Sequence, residues 1–316
     1  MLALHFDGNR VRVTDVAPPR EASGSALVRV GLAGVCDTDL QIVKGYMDFR
    51  GVLGHEFLGT VAEAPANWLG RRVVGEINFA CQHCPQCEAG MQRHCPNRQV
   101  MGIQDADGAF AEYVRVPLAN LHAVPDSVQD AEAVFCEPLA AAFEILEQVE
   151  VEPDRDCVVL GDGKLGLLVA QVLRDAGARV RVVGRHPGKL AILERLGIET
   201  VLFDAWRPQP AALVVEATGS REGLACAVRT VAPRGTIVLK STVAEAGIFD
   251  FAPLVINEIR VVGSRCGPFA PALQALESGR VTVAPLISER LPLARAEEAL
   301  RLAARPGMLK VLVETA

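Results

Sequence analysis

The hydrophobic pattern of this chain changes character near residue 157. Before that point, short runs rich in valine, such as residues 26–30, 73–76 and 111–116, are broken by glycine and proline. Such spacing predicts a compact, mostly antiparallel β-domain whose loops can carry chemistry. After it, apolar runs at 157–160, 180–183, 213–215, 236–239 and 260–262 alternate with helical stretches such as 165–176 and 189–196. That alternation predicts an α/β domain, a parallel sheet covered by helices. Beyond Gly267 the pattern predicts a helix over 270–278, a proline-bounded segment, a second helix over 294–304 and a last strand over 310–314. No internal repeat and no low-complexity linker interrupts this order.

Length and composition agree with two domains. A chain of 316 residues with 50% hydrophobic content can bury two cores. The first ten residues hold no basic leader followed by an apolar stretch, and no run approaches the roughly 18 apolar residues of a membrane span. A cytoplasmic protein is therefore expected. The net charge of −6 and the absence of a Lys/Arg stripe argue against nucleic acid or an anionic membrane as partner.

The densest chemistry is a quartet, Cys81, Cys84, Cys87 and Cys95, spaced C-x2-C-x2-C-x7-C. Thiols at this spacing can converge on one tetrahedral ion, and thiolate sulfur suits a closed structural zinc site. A disulfide knot is the competing reading, but a chain of this length without a secretory leader is poorly suited to one. The remaining five of the nine cysteines are expected to be reduced thiols.

A second motif follows the strand at 157–160. Gly161-Asp162-Gly163-Lys164-Leu165-Gly166 opens a helix, and the next strand begins at Val180. Glycines placed so allow a tight turn, close approach of backbone to a pyrophosphate and close helix-to-strand packing. The strand-loop-helix setting makes this a dinucleotide-binding turn rather than an ordinary glycine-rich one. At the end of the second strand, where an acid would accept the ribose 2′-hydroxyl of NAD, the chain reads Gly184-Arg185-His186-Pro187-Gly188-Lys189. With Gly184 making room, Arg185 together with His186 or Lys189 could pair a 2′-phosphate, which favours NADP over NAD. The competing reading of Arg185 is a solvated surface charge.

A third set is dispersed: Cys36-Asp37-Thr38-Asp39, then His55-Glu56, then Cys136-Glu137-Pro138-Leu139. Each alone is ambiguous, since a lone histidine is more often a hydrogen-bonded core residue and a lone cysteine a small hydrophobe. In this order, with the cysteine quartet and the glycine turn, they resemble the zinc-dependent medium-chain dehydrogenase/reductase family, which includes alcohol, sorbitol, glucose and threonine dehydrogenases. The resemblance covers almost the whole chain. It implies a GroES-like β-rich catalytic domain over 1–134 and 268–316, with a structural-zinc lobe at 81–95, and a doubly wound Rossmann domain over 135–267.

The resemblance also implies roles. Cys36 and His55 are similar to two ligands of a catalytic zinc, and Glu137 stands where the family places a third, with Cys136 as the alternative. Glu56 resembles a neighbouring glutamate that can approach or replace a ligand. Asp39 resembles the carboxylate that orients the ligand histidine. Thr38 resembles the hydroxyl that contacts the substrate oxygen. Loop-to-helix capping is the plainer reading of Thr38 and Asp39. Lys310 falls near a basic residue that relatives place close to the pyrophosphate, or else is a surface lysine. Two zinc ions per chain, NADP or NAD, a small alcohol or carbonyl substrate, and a homodimer or homotetramer are the implied partners.

The chain also departs from the family pattern. Where many alcohol dehydrogenases have a relay histidine, it has Gln41, which cannot protonate near neutral pH. Glu-Pro-Leu, a non-histidine at that site and NADP preference together resemble the polyol and sugar branch. Segments 45–54 and 64–71 look short for the family, and Asp37 adds a negative charge beside Cys36. The alternatives are a zinc-independent quinone-type reductase, and a non-catalytic nucleotide-binding protein on the same fold.

Overall fold

Residues 1–242 and 249–315 are described in a computed structural model of the protein. The chain divides into two compact units, Met1–Glu137 with Leu286–Ala316, and Pro138–Pro285.

In the first unit, β1 (Ser25–Gly34) alternates buried and less buried positions until its last three residues, which are buried on both faces. That change from alternation to continuous burial is what a strand does as it runs from a sheet's rim into a covered centre. A short helix, α1 (Asp37–Ile42), follows directly. Then come β2 (Glu56–Glu63), β3 (Arg72–Gly75), β4 (Tyr113–Pro117) and β5 (Leu121–Ala123). β1 pairs antiparallel with β2 and with β4, as the sequence pattern leads one to expect. Three short strands, Asn78–Phe79, Gln99–Met101 and Asp105–Ala106, form a separate small sheet that frames the cysteine segment.

The second unit begins with α2 (Cys136–Gln148), whose first two residues still belong to the first unit. Pro138 sits in its first turn, where a missing N–H is harmless. Next come β6 (Asp156–Leu160), α3 (Lys164–Asp175), β7 (Arg179–Gly184), α4 (Pro187–Arg195), β8 (Glu199–Leu202), β9 (Ala211–Glu216) and β10 (Val231–Leu239). α5 (Ala252–Ile256), β11 (Arg260–Gly263) and α6 (Phe269–Glu277) complete it. The sheet order is β8-β7-β6-β9-β10-β11, with every pair parallel. This is the doubly wound order whose switch point lies beside the first strand.

The chain returns to the first unit at Leu286, not at 268. The side chain of Gln171 explains the later boundary: it accepts from Thr282 N at 2.8 Å and donates to Thr282 O at 3.1 Å, holding the stretch after α6 against α3. β12 (Ile287–Pro292), α7 (Ala296–Ala303) and β13 (Lys310–Glu314) finish the chain. β13 is antiparallel to β1, with Leu312 opposite Gly34, giving the sheet order β5-β3-β2-β1-β13-β12. Lys310 thereby enters the same sheet as the start of β2, 254 residues away in sequence.

Candidate metal centres and nucleotide-binding loop

The four cysteines converge. Their sulfurs all lie within 4.8 Å of one another, with Cys84 to Cys87 at 3.5 Å, Cys84 to Cys95 at 3.8 Å and Cys95 to Cys81 at 3.6 Å. A disulfide needs about 2.05 Å, whereas the edge of a tetrahedron of sulfurs about 2.3 Å from a zinc ion is about 3.8 Å. The donor set therefore fits a closed tetrathiolate zinc site. No disulfide joins the nine cysteines among the described residues. The N–H of His83 holds the Cys81 thiol down at about 6, favouring thiolate, while burial pushes Cys87 up to about 12.

A second group lies at the buried end of β1. Cys36 caps α1, and Asp39, fully buried three residues on, accepts the Cys36 N–H on Oδ2 at 2.8 Å. Asp39 Oδ1 lies 3.3 Å from His55 Nδ1. Asp39 thus accepts the N–H at the start of α1 with one oxygen and lies beside the histidine ring with the other. Cys36, His55 and Glu56 offer ligand atoms within 4.8 Å of one another. Thr38 Oγ1 is 3.6 Å from Cys36 Sγ and half-buried.

Charge in this group is concentrated and buried, with His55 2% and Glu56 1% exposed. Burial opposes the protonated form of His55, yet the charges of Asp39 and Cys36 overcome it and raise its pKa well above the usual value. Glu56 Oε1 has no hydrogen-bond partner among the described residues. An orphaned buried carboxylate oxygen beside a thiol and an imidazole is the donor chemistry of a zinc site with an open position. The residues present fit the metal.

Glu137 is placed differently from Glu56. It sits half-buried in the first turn of α2, outside this close-set group, and the glutamate that joins Cys36 and His55 is Glu56. Cys136 is fully buried, and burial, then the charges of Glu137 and Glu76, push its thiol up. Lys310 requires a correction. It is 0% exposed, which excludes a surface lysine, and its ammonium donates to Glu56 Oε2 and to Val35 O at 3.3 Å rather than being left for a phosphate. The Phe135 ring lies 5.6 Å from the same nitrogen. Gly34 makes space for the pair, because a Cβ there would stand 2.4 Å from Glu56 Oε2.

The glycine turn has the form expected of a dinucleotide loop. Gly161 is left-handed at φ +116°, and a Cβ on Gly166 would stand 2.2 Å from Gly161 O, so only glycine lets α3 start this close to β6. A Cβ on Gly163 would meet nothing within 4 Å, leaving bare backbone open at the N-terminus of α3, with Lys164 and Leu165 in its first turn. At the end of β7, the guanidinium of Arg185 lies 5.0 Å over the Phe203 ring, while His186 caps α4 and Lys189 is in its first turn. Asp162 joins these residues in the fold, although the glycine motif does not single it out. Its side chain, 7% exposed, crosses from the glycine turn to the end of β7, where Oδ2 accepts from Arg185 N at 2.7 Å and His186 N at 2.6 Å. An acid between the first two glycines, paired with a glycine-ended second strand, is the signal that could have found it.

A two-domain fold with a tetrathiolate site, a second thiol-imidazole-carboxylate site and a dinucleotide loop defines a zinc-dependent, nucleotide-linked oxidoreductase. Comparison with known proteins agrees. Residues 22–126 match the alcohol dehydrogenase GroES-like domain, and residues 165–278 match the zinc-binding dehydrogenase domain. The chain is 30% identical to 2-dehydro-3-deoxy-L-galactonate 5-dehydrogenase of Pseudoalteromonas atlantica, over 99% of this chain and 98% of that one. It is 28% identical to sorbitol dehydrogenase of Halalkalibacterium halodurans, over 95% and 94%. The solved structure of a zinc-binding dehydrogenase of Sinorhizobium meliloti 1021 bound to NADP superposes with a TM-score of 0.91, at 29% identity and 99% coverage of both chains. The chain belongs to the zinc-binding, alcohol dehydrogenase-like family of medium-chain dehydrogenases, and it is a hydride-transferring oxidoreductase acting on alcohols.

Proposed function

We infer that the protein interconverts a hydroxyl of a polyol or sugar-derived substrate with its carbonyl, using NADP and two zinc ions per chain. The observation that carries the reading is the convergence of Cys36, His55 and Glu56, with Glu56 Oε1 buried and without a partner. These three would hold the catalytic ion, and Cys81, Cys84, Cys87 and Cys95 the structural one. Glu137, half-buried in the first turn of α2, would be a further ligand of that ion or a contact for substrate. Zinc held there would supply Lewis acidity to a substrate oxygen, and a nicotinamide held at the glycine turn would supply the hydride acceptor.

The chain's own residues supply the rest. Asp39, 3.3 Å from Nδ1, would orient the His55 ring, and Lys310 holds Glu56 by one oxygen while the other has no hydrogen-bond partner among the described residues. Thr38, half-buried beside Cys36, takes the substrate proton and returns it to solvent. Gln41 cannot ionise, so that proton leaves by water and not by an imidazole. The sugar-acid and polyol relatives support the substrate class.

NADP is favoured by the end of β7. No acid stands at 184, and the guanidinium of Arg185, an exposed residue, lies 5.0 Å from the centre of the Phe203 ring, where it could reach a 2′-phosphate. A cytoplasmic location accords with nine cysteines and no disulfide among the described residues. Among these residues no helix is long and apolar enough to cross a membrane. A homo-oligomer is supported by β11, an edge strand with three of its four residues exposed, and by Val255 and Ile256 of α5, each 76% exposed.

The test is NADP+ and NAD+ reduction across a panel of polyols, sugar acids, aldoses and simple alcohols, with zinc analysis on the same sample. Turnover that survives removal of all metal, or a higher kcat/KM with NAD+, would refute the corresponding half of this reading.

A further inference from the structure

The acid that the sequence lacks at the end of the second strand is present in space. Asp162 comes from the glycine turn, and its side chain fills the volume that a side chain at 184 would use. A Cβ on Gly184 would stand 2.6 Å from both Asp162 Cβ and Asp162 Oδ2. The two positions are therefore exclusive: a carboxylate can reach this spot from the loop or from the strand end, not from both.

The origin of the carboxylate changes what it can do. Oδ2 accepts two backbone N–H groups, those of Arg185 and His186. The His186 ring closes over it, with Nδ1 3.1 Å from each oxygen. Burial alone would push this carboxyl up, but the His186 N–H, the His186 ring and the Arg185 N–H outweigh it and hold the group below the usual range. With one oxygen carrying two N–H bonds and 93% of the residue covered, the carboxylate is engaged with protein rather than with a ribose. A strand-end acid in the usual arrangement points at the ribose instead.

The bonds from Asp162 fix the 184–186 backbone, and that backbone aims Arg185. Phe203 supports the guanidinium from one side, and Phe203 N is itself bonded to Gly184 O at 2.7 Å. Turn, ring and guanidinium form one unit, braced from beneath by Asp162.

We propose that Asp162 is the positioning residue for 2′-phosphate recognition: by bracing the Arg185–His186 turn from the glycine loop, it sets the preference for a phosphorylated ribose. This rests on the NADP reading above.

The test uses the full-length protein and calorimetric binding of adenosine 2′,5′-bisphosphate against adenosine 5′-monophosphate, with steady-state KM and kcat for both cofactors alongside. Asp162→Ala is expected to lose about tenfold or more of the wild-type preference for the 2′-phosphate, the range expected for hydrogen bonds to a charged group, with KM for NADP+ changing more than kcat. Asp162→Asn keeps an acceptor oxygen for the two N–H groups, so it should lose less than Asp162→Ala and guards against a variant that fails to fold. Equal weakening of both ligands would overturn the proposal, because the residue would then serve only the fold. A gain in 2′-phosphate preference would also overturn it, since the carboxylate would then be a ribose reader that repels phosphate. If the wild-type protein itself shows no preference for the 2′-phosphate, the NADP reading falls and takes this inference with it. Preference retained in both variants overturns the inference alone.

Discussion

Lys310 donates a hydrogen bond to Glu56 inside the first unit, with side chains 0% and 1% exposed. Two opposite charges removed from water are tolerable together and costly apart, because the survivor of a single substitution keeps its desolvation penalty without its partner. Lys310→Met is expected to lower unfolding free energy by about 3–5 kcal/mol, the range for breaking a buried pair. Lys310→Met with Glu56→Gln should recover part of that loss. Urea unfolding of both variants checks it, and a Lys310→Met protein as stable as wild type would show that the pair does not persist in solution.

The two metal groups should separate by substitution. Cys95→Ser removes a ligand from a closed lobe, so it should lose one zinc per chain and destabilise the protein, since binding free energy at such sites is folding free energy. Cys36→Ser should also lose one zinc, but keep the circular dichroism of wild type and lose turnover by roughly a thousandfold, equivalent to about 4 kcal/mol of transition-state stabilisation. Zinc measured by mass spectrometry beside kcat decides the matter. A fully active Cys36→Ser would remove the catalytic assignment.

How much could be read beforehand follows from sequence separation and burial. The cysteine quartet and the glycine turn are local, so spacing alone exposes them. β6, β7 and β9 show as apolar runs because both faces are covered. β8 has no such run, with two of its four residues exposed at the sheet's edge, and its Glu-Thr-Val-Leu gives no period to detect. The convergence of Cys36, His55 and Glu56 is legible only through family resemblance, since cysteine and histidine are each common core residues. What no pattern could give were pairings across the fold: Lys310 with Glu56, and Asp162 with the 185–186 backbone. These depend on which strand ends meet, and only the folded sheet supplies that.

Asp162 also makes a prediction about acid stability. Its carboxyl lies below the ordinary value of 3.8 in the folded chain, so near that pH the unfolded chain binds more protons than the folded one. The stabilisation is thus fully present above the unfolded pKa and is lost as pH falls through the folded one. Asp162→Asn should therefore destabilise the protein more at pH 7 than at acid pH below the ordinary value of 3.8, where the stabilisation is being lost. Denaturant unfolding of the pair at the two pH values tests this, and a gap that widens toward acid would contradict the sign.

The exposed edge of the six-stranded sheet makes the last prediction. Among the described residues β11 is bonded on one side only, to β10, and its other side offers backbone donors and acceptors to a matching strand. An edge is self-complementary about a two-fold axis, so a second copy of the same chain can pair β11 with β11 and extend the sheet. Val255 and Ile256 lie on α5, which precedes this strand, and would add apolar area to the contact. A charge is expensive to bury in such a contact, whereas on a free surface it changes stability by no more than about 0.5 kcal/mol. Ile256→Asp should therefore shift the protein toward monomer in sedimentation velocity without lowering monomer stability. If wild type already sediments as a monomer, or if Ile256→Asp leaves the oligomer intact, the edge is not the interface.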